Sequence, residues 1–160
     1  MDKAAFVREL GGVFEHSAWV AERAFPDRPF ASIDALHAAM VTAVARATPS
    51  EQLALLRAHP ELAGKAAVRG ELTIDSTKEQ SGAGLSQCSR EEFALLTDLN
   101  RRYNVKFGFP FILAVKGYDR AGIIREFARR VEQDRATEFA ECLAQIARIT
   151  RFRLEALVAG

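Results

Sequence analysis

The chain has 160 residues, of which 49% are apolar and 27% charged, a balance that excludes disordered and collagen-like proteins. Its 22 basic and 21 acidic side chains leave a net charge of +1, which removes the electrostatic case for nucleic acid or an anionic membrane as partner. Cys88 and Cys142 are too few and too far apart for a disulfide framework or a CxxC metal site.

The N-terminal MDKAAFVRELGG lacks the apolar core of a secretory signal. No uninterrupted apolar stretch reaches the roughly 18 residues of a membrane span. The last residues, LVAG, carry no peroxisomal or retention signal. A cytoplasmic location is the expectation, with one domain over residues 1–160.

Helical signals follow one another along the chain. Asp2 can cap a short helix that Gly11-Gly12 ends, and Ser17 to Phe25 is a second short candidate. Ser32 opens a longer helix in which Ile33, Leu36, Met40 and Val44 recur every three to four residues. Thr48-Pro49-Ser50-Glu51 is a capping box with proline at the first helical position, so a helix should run to about Ala58. Ser89 with Glu92 is another box, opening a helix through Phe93, Leu96 and Tyr103. Asp119 can cap a helix carrying Ile123, Phe127 and Val131, and the last helix covers Thr137 to Val158. The fold class is all-α, a single-domain multi-helix bundle.

Two segments break the pattern. Residues 60–88 are glycine-rich with little sustained periodicity, and residues 105–117, VKFGFPFILAVKG, are aromatic and β-prone. A lone strand cannot satisfy its ladder, so the second segment is expected to be extended and buried among helices. Irregular segments on a rigid scaffold are where sites usually lie.

Three places could carry chemistry. His59 closes a helix and is followed at once by Pro60, which stops the helix and constrains the backbone before it. It reads either as a solvated histidine on a helix dipole or as a general acid–base. In STKEQ, Ser76 and Glu79 have capping-box spacing, which fits an ordinary helix start and equally an anion site on free N–H groups, with Glu79 or Gln80 orienting a ligand. In the last helix Ile146, Ile149, Arg153 and Leu157 share one face, with Glu138, Glu141, Gln145, Arg148 and Glu155 on the other. Arg153 is then a charge on the apolar side, where it needs an anion. That anion could belong to a structural salt bridge or be a substrate carboxylate gripped by the guanidinium fork. His16 and His37 stand at no metal-ligand spacing with His59, so no metal site is expected. Nucleotide-binding and nucleophile-elbow motifs do not occur, which leaves cofactor-free acid–base chemistry.

GGVFEHSAWVAERA, AHPELAG, LTIDSTKEQSGAGL, LNRRYNVKFGFPFILAVKG and RFRLEAL follow in that order through nearly the whole chain. In this it resembles the OHCU decarboxylases, the 2-oxo-4-hydroxy-4-carboxy-5-ureidoimidazoline decarboxylases of urate degradation. The resemblance implies an all-helical domain that forms a homodimer, uses no metal or organic cofactor, and converts its small-molecule substrate to (S)-allantoin. It implies catalytic roles for His59 and Glu79. Substrate binding would fall to Pro60, Ser76, Thr77, Lys78, Gln80 and Arg153, and to the backbone of Phe111, Ile112, Leu113, Ala114 and Val115. One departure is Ile74-Asp75 before Ser76, where the family often has glutamate. A hydrolase or isomerase of a related ureido compound, or a helical interaction module without activity, are the competing readings.

Overall fold

A computed structural model describes residues 2–64, 67 and 70–159. Lys65, Ala66, Val68 and Arg69, within the glycine-rich segment, lie outside the described residues. No strand occurs among the described residues, and the chain divides into two compact units, Met1–His59 with Ile146–Gly160, and Pro60–Gln145.

The first unit begins with α1, Lys3–Leu10, capped by the Asp2 carboxylate, which accepts from Ala5 N–H at 2.8 Å. A tight loop comes next, in which Glu15 points inward and is 2% exposed while the His16 side chain stays in water. His16 holds a left-handed backbone with φ 49°, a conformation that histidine adopts more readily than most residues. The second helix, α2 (Trp19–Ala24), runs into a single 3-10 turn at Phe25–Asp27. Ser32 caps α3, Ile33–Ala45, and the Thr48/Glu51 capping box with Pro49 opens α4, Pro49–Ala58. Phe6, Val20, Met40, Leu55 and Leu56 are buried apolar residues of this unit.

In the second unit α5 spans Ile74–Gly82, and here the structure corrects the sequence reading. The cap is Thr73, one turn earlier than Ser76, and its hydroxyl accepts from Ser76 N–H at 3.2 Å. Ser76 is an interior, buried position of the helix. The helix α6 (Arg90–Phe107) opens on the Ser89/Glu92 box and closes on Gly108, whose φ of 80° needs the missing side chain. Residues 110–115 then run without helix, turn or bend, before Asp119 caps α7 (Arg120–Arg130). The last helix, α8, is Arg135–Ala159.

The face expected of α8 also needs correcting. Glu138 and Gln145, read as solvent-facing, are 0% and 5% exposed, whereas Leu157 is 53% exposed. Glu138 is buried because it answers a buried cation. Arg130 Nε donates to its carboxylate at 2.9 Å, and Tyr103 OH donates to the same oxygen at 2.6 Å. Burial pushes the Tyr103 phenol well above its ordinary value, so it stays a donor. The Arg130 guanidinium lies 4.4 Å from the centre of the Phe111 ring, which stacks on Phe127 at 3.9 Å. Breaking such a buried pair leaves a charge uncompensated, so Arg130→Ala should cost about 3–5 kcal/mol. Urea denaturation at neutral pH measures it, and a loss below about 1 kcal/mol, the size of an exposed pair, would count against this account.

Candidate active site

His59 is the C-cap of α4, with extended backbone (φ −76°, ψ 139°) imposed by the following proline. The residue is only 7% exposed, and its Nε2 has no hydrogen-bond partner among the described residues. A buried polar atom is normally paired, so this bare nitrogen is open to a ligand, as acceptor or donor according to the tautomer. The solvated-histidine reading is therefore set aside.

Arg153 belongs to the same unit and is 5% exposed. Its guanidinium donates to Glu15 Oε1 at 3.0 Å and to the Val13 carbonyl at 3.2 Å. The anion required by a buried arginine is thus present within the chain, and the structural salt bridge is real. A guanidinium has five N–H donors in a fork, so a salt bridge on one side does not preclude a ligand on another. Burial, followed by the positive charge of Arg153, pushes the His59 imidazole down to about 4, with Glu15 pulling upward and His16 downward. His59 is accordingly neutral at physiological pH. It is a base, with its lone pair intact.

The second unit holds the remaining sequence candidates. Ser76 and Gln80 are buried on one face of α5 with half-buried Glu79 beside them, while Thr77 and Lys78 are exposed. The Thr77 hydroxyl donates to the Thr73 carbonyl at 2.9 Å, a bond internal to the helix. The Gln80 amide clamps the loop after Pro60: Oε1 accepts from Ala63 N–H at 3.0 Å, and Nε2 donates to the Glu61 carbonyl at 3.2 Å. Pro60 is half-buried. Phe111, Ile112, Leu113, Ala114 and Val115 are all buried. Ile112 O accepts from Arg130 at 2.6 Å and Ala114 N–H donates to Gln145 Oε1 at 2.9 Å. Among the described residues no cluster of three or more His, Cys, Asp or Glu could hold a metal ion.

Sequence reasoning missed Glu15, Arg130 and Gln145. For Glu15 a weak signal existed: with His16 and Ser17 it forms a short polar insert between the apolar Val13-Phe14 and Ala18-Trp19-Val20.

A family model described as OHCU decarboxylase matches residues 1–155. The chain belongs to the OHCU decarboxylase family. A 2-oxo-4-hydroxy-4-carboxy-5-ureidoimidazoline decarboxylase of Haloferax volcanii is 42% identical over 154 residues, covering 96% of this chain and 89% of that protein. A uric acid degradation bifunctional protein of Bacillus sp. (strain TB-90) is 41% identical over 155 residues, and there the chain spans 30% of the relative's length. The crystal structure of an (S)-allantoin synthase superposes with a TM-score of 0.79 at 29% identity, covering 98% of this chain and 51% of that one. The all-helical OHCU decarboxylase fold is therefore established for this chain.

The neutral histidine of this OHCU decarboxylase family member has a consequence for stability. Unfolded, His59 takes up a proton as pH falls through about 6.5; folded, it resists until about 4. Between those values the unfolded state binds more protons, so acidification destabilises the fold. The expected loss from this group is on the order of 3 kcal/mol between neutrality and about pH 4. His59→Gln should lack that part of the slope. Urea titrations of both proteins across this range compare them, and parallel slopes would refute the burial argument.

Proposed function

We propose that the chain is a decarboxylase converting 2-oxo-4-hydroxy-4-carboxy-5-ureidoimidazoline to (S)-allantoin, with no metal or organic cofactor. The observation that carries this reading is the bare Nε2 of a buried, neutral His59 in the same unit as the Arg153 guanidinium. The name of the Haloferax volcanii relative and the likeness to an (S)-allantoin synthase support the identity of the reaction.

The substrate carries a carboxylate and a hydroxyl on one ring carbon, next to a ring C=N. When the carboxylate leaves as CO2, the electrons of the broken C–C bond flow into that C=N. The ring is its own electron sink, the part a cofactor would otherwise supply. CO2 departs neutral, so the negative charge of the carboxylate stays on the ring, and the imine nitrogen neutralises it by taking up one proton from solvent. His59 accepts the hydroxyl proton as the carbonyl forms and returns it to one face of the neighbouring carbon, which makes the product one-handed. An imidazole that is neutral beforehand is suited to the first step. An incoming substrate carboxylate raises the imidazole's proton affinity when the proton has to be held.

Arg153 orients the departing carboxylate or grips a ring carbonyl. The roles of the second unit's residues rest on the resemblance: Glu79 binds the ureido nitrogens or steadies the imidazole, Pro60, Ser76, Thr77, Lys78 and Gln80 shape the substrate's surroundings, and the backbone of Phe111–Val115 reads the ring edges. The two units act as one domain in this proposal, supported by a family match that runs through both. Assembly as a homodimer in the cytoplasm belongs to it as well. No helix among the described residues is long and apolar enough to cross a membrane.

The decisive measurement is circular dichroism of a reaction fed with freshly generated substrate. Uncatalysed breakdown yields racemic allantoin, so a growing signal of one hand, together with released CO2, is expected only from enzymatic decarboxylation. A flat trace with folded protein sinks the proposal. His59→Ala should keep its fold and lose about 10² to 10⁴ in kcat; retention of most of kcat would take the base role from His59. Arg153→Lys should lower kcat/KM by at least about tenfold, the value of one charge-assisted hydrogen bond. Near-normal kcat/KM in that variant argues against a forked contact.

A further inference from the structure

The manner in which residues 110–115 are held says more than that they are buried. They run without turn or bend, and in a β-extended chain the N–H and C=O of one residue point to one side, those of the next to the other, a period of two that the partners of this segment follow. The groups fastened by side chains all belong to even-numbered residues. Cys142 Sγ lies 3.9 Å from the Pro110 carbonyl, Arg130 donates to Ile112 O at 2.6 Å, and Ala114 N–H donates to Gln145 Oε1 at 2.9 Å. Among the described residues no hydrogen bond reaches the backbone of Phe111 or Leu113, which are 0% and 3% exposed. Well over nine-tenths of buried backbone groups are paired in native proteins. The Val115 carbonyl accepts from Tyr118 N–H at 2.9 Å, which closes the segment's end.

The Gln145 amide cannot turn the other way. Its Nε2 donates to Glu141 Oε1 at 2.8 Å, one helical turn back on α8, which commits the amide oxygen to Ala114. Gln145 is itself 5% exposed.

We infer that Gln145, assisted by Arg130, is a positioning residue that takes up the even-numbered edge of the segment and so turns the odd-numbered edge, Phe111 and Leu113, toward the substrate. The inference rests on the decarboxylase reading. The ligand it implies is a planar cyclic ureide, whose alternating N–H and C=O groups pair with that edge as a neighbouring strand would. Recognition then depends on backbone direction and not on the side chains of Phe111 or Leu113.

Two measurements on the full chain test it. Backbone amide NMR of the wild type at saturating (S)-allantoin should show the largest shifts at the amides of Phe111 and Leu113, with Ala114 unmoved. In steady-state kinetics Gln145→Leu should raise KM about tenfold, one buried hydrogen bond's effect, while kcat stays within about threefold. The double variant E141Q/Q145E restores an acceptor for Ala114 N–H and a donor beneath it, and should return KM to near the wild-type value. A purely structural Gln145 would lower the melting temperature without this split between KM and kcat. Response at Ala114, or silence at Phe111 and Leu113, overturns the inference, as does wild-type KM in Gln145→Leu. Wild-type turnover measured alongside separates the cases: turnover with a silent odd edge defeats the inference alone, whereas absence of turnover defeats the decarboxylase reading and the inference with it. Should Gln145→Leu fail to fold, the NMR result on the wild type decides.

Discussion

A cation withdrawn from water must be answered by an anion, and this constraint organises both units. Arg153 in one and Arg130 in the other are the buried arginines among the described residues, paired with Glu15 and Glu138 respectively. Such pairs seldom add much net stability, because desolvation consumes most of the Coulombic gain. Their effect is to fix direction. Glu15 determines where one side of the Arg153 fork points, and Glu138 holds the Arg130 guanidinium against Phe111 with an N–H on Ile112 O.

The charge state of His59 has its origin in the same constraint. Burial away from water first, and a guanidinium nearby second, make a further positive charge expensive, so the imidazole stays neutral. Glu15 moderates this effect without reversing it. The first unit therefore brings together a strong permanent cation, held by Glu15 and the Val13 carbonyl, and a neutral imidazole. In the proposed reaction an anionic substrate meeting this pair would be attracted by the first and would make the second more basic, so that binding prepares the proton transfer.

Much of this was legible in the sequence wherever the physics is local. Thr48, Ser89 and Asp119 were readable as caps because the bond each makes is to an N–H only three residues on. The same rule misplaced the start of α5, since Thr73–Ser76 and Ser76–Glu79 have identical spacing and only the surrounding fold selects the first. Arg153 was recognisable as a misplaced charge, but its partner lies 138 residues away along the chain. The faces of α8 were read from one hydrophobic pattern, yet its early part buries Glu138 and Gln145 for the hydrogen bonds they make. Polar residues buried for a partner look like surface residues until the partner is known. The same holds for the Phe111–Val115 segment: propensity marked it as strand-like, but the side chains that replace the missing neighbour strand come from two helices further on.

The alternation of that segment gives it something like a reading frame. Because adjacent residues face opposite ways, removing or adding a single residue between Pro110 and Val115 would exchange the two edges from that point to the end of the segment, offering Gln145 the wrong set of groups. Exchanging one apolar side chain for another would leave every backbone direction as it was. By this alternation the length of the stretch is under tighter constraint than its composition, since one inserted residue turns every backbone group that follows it.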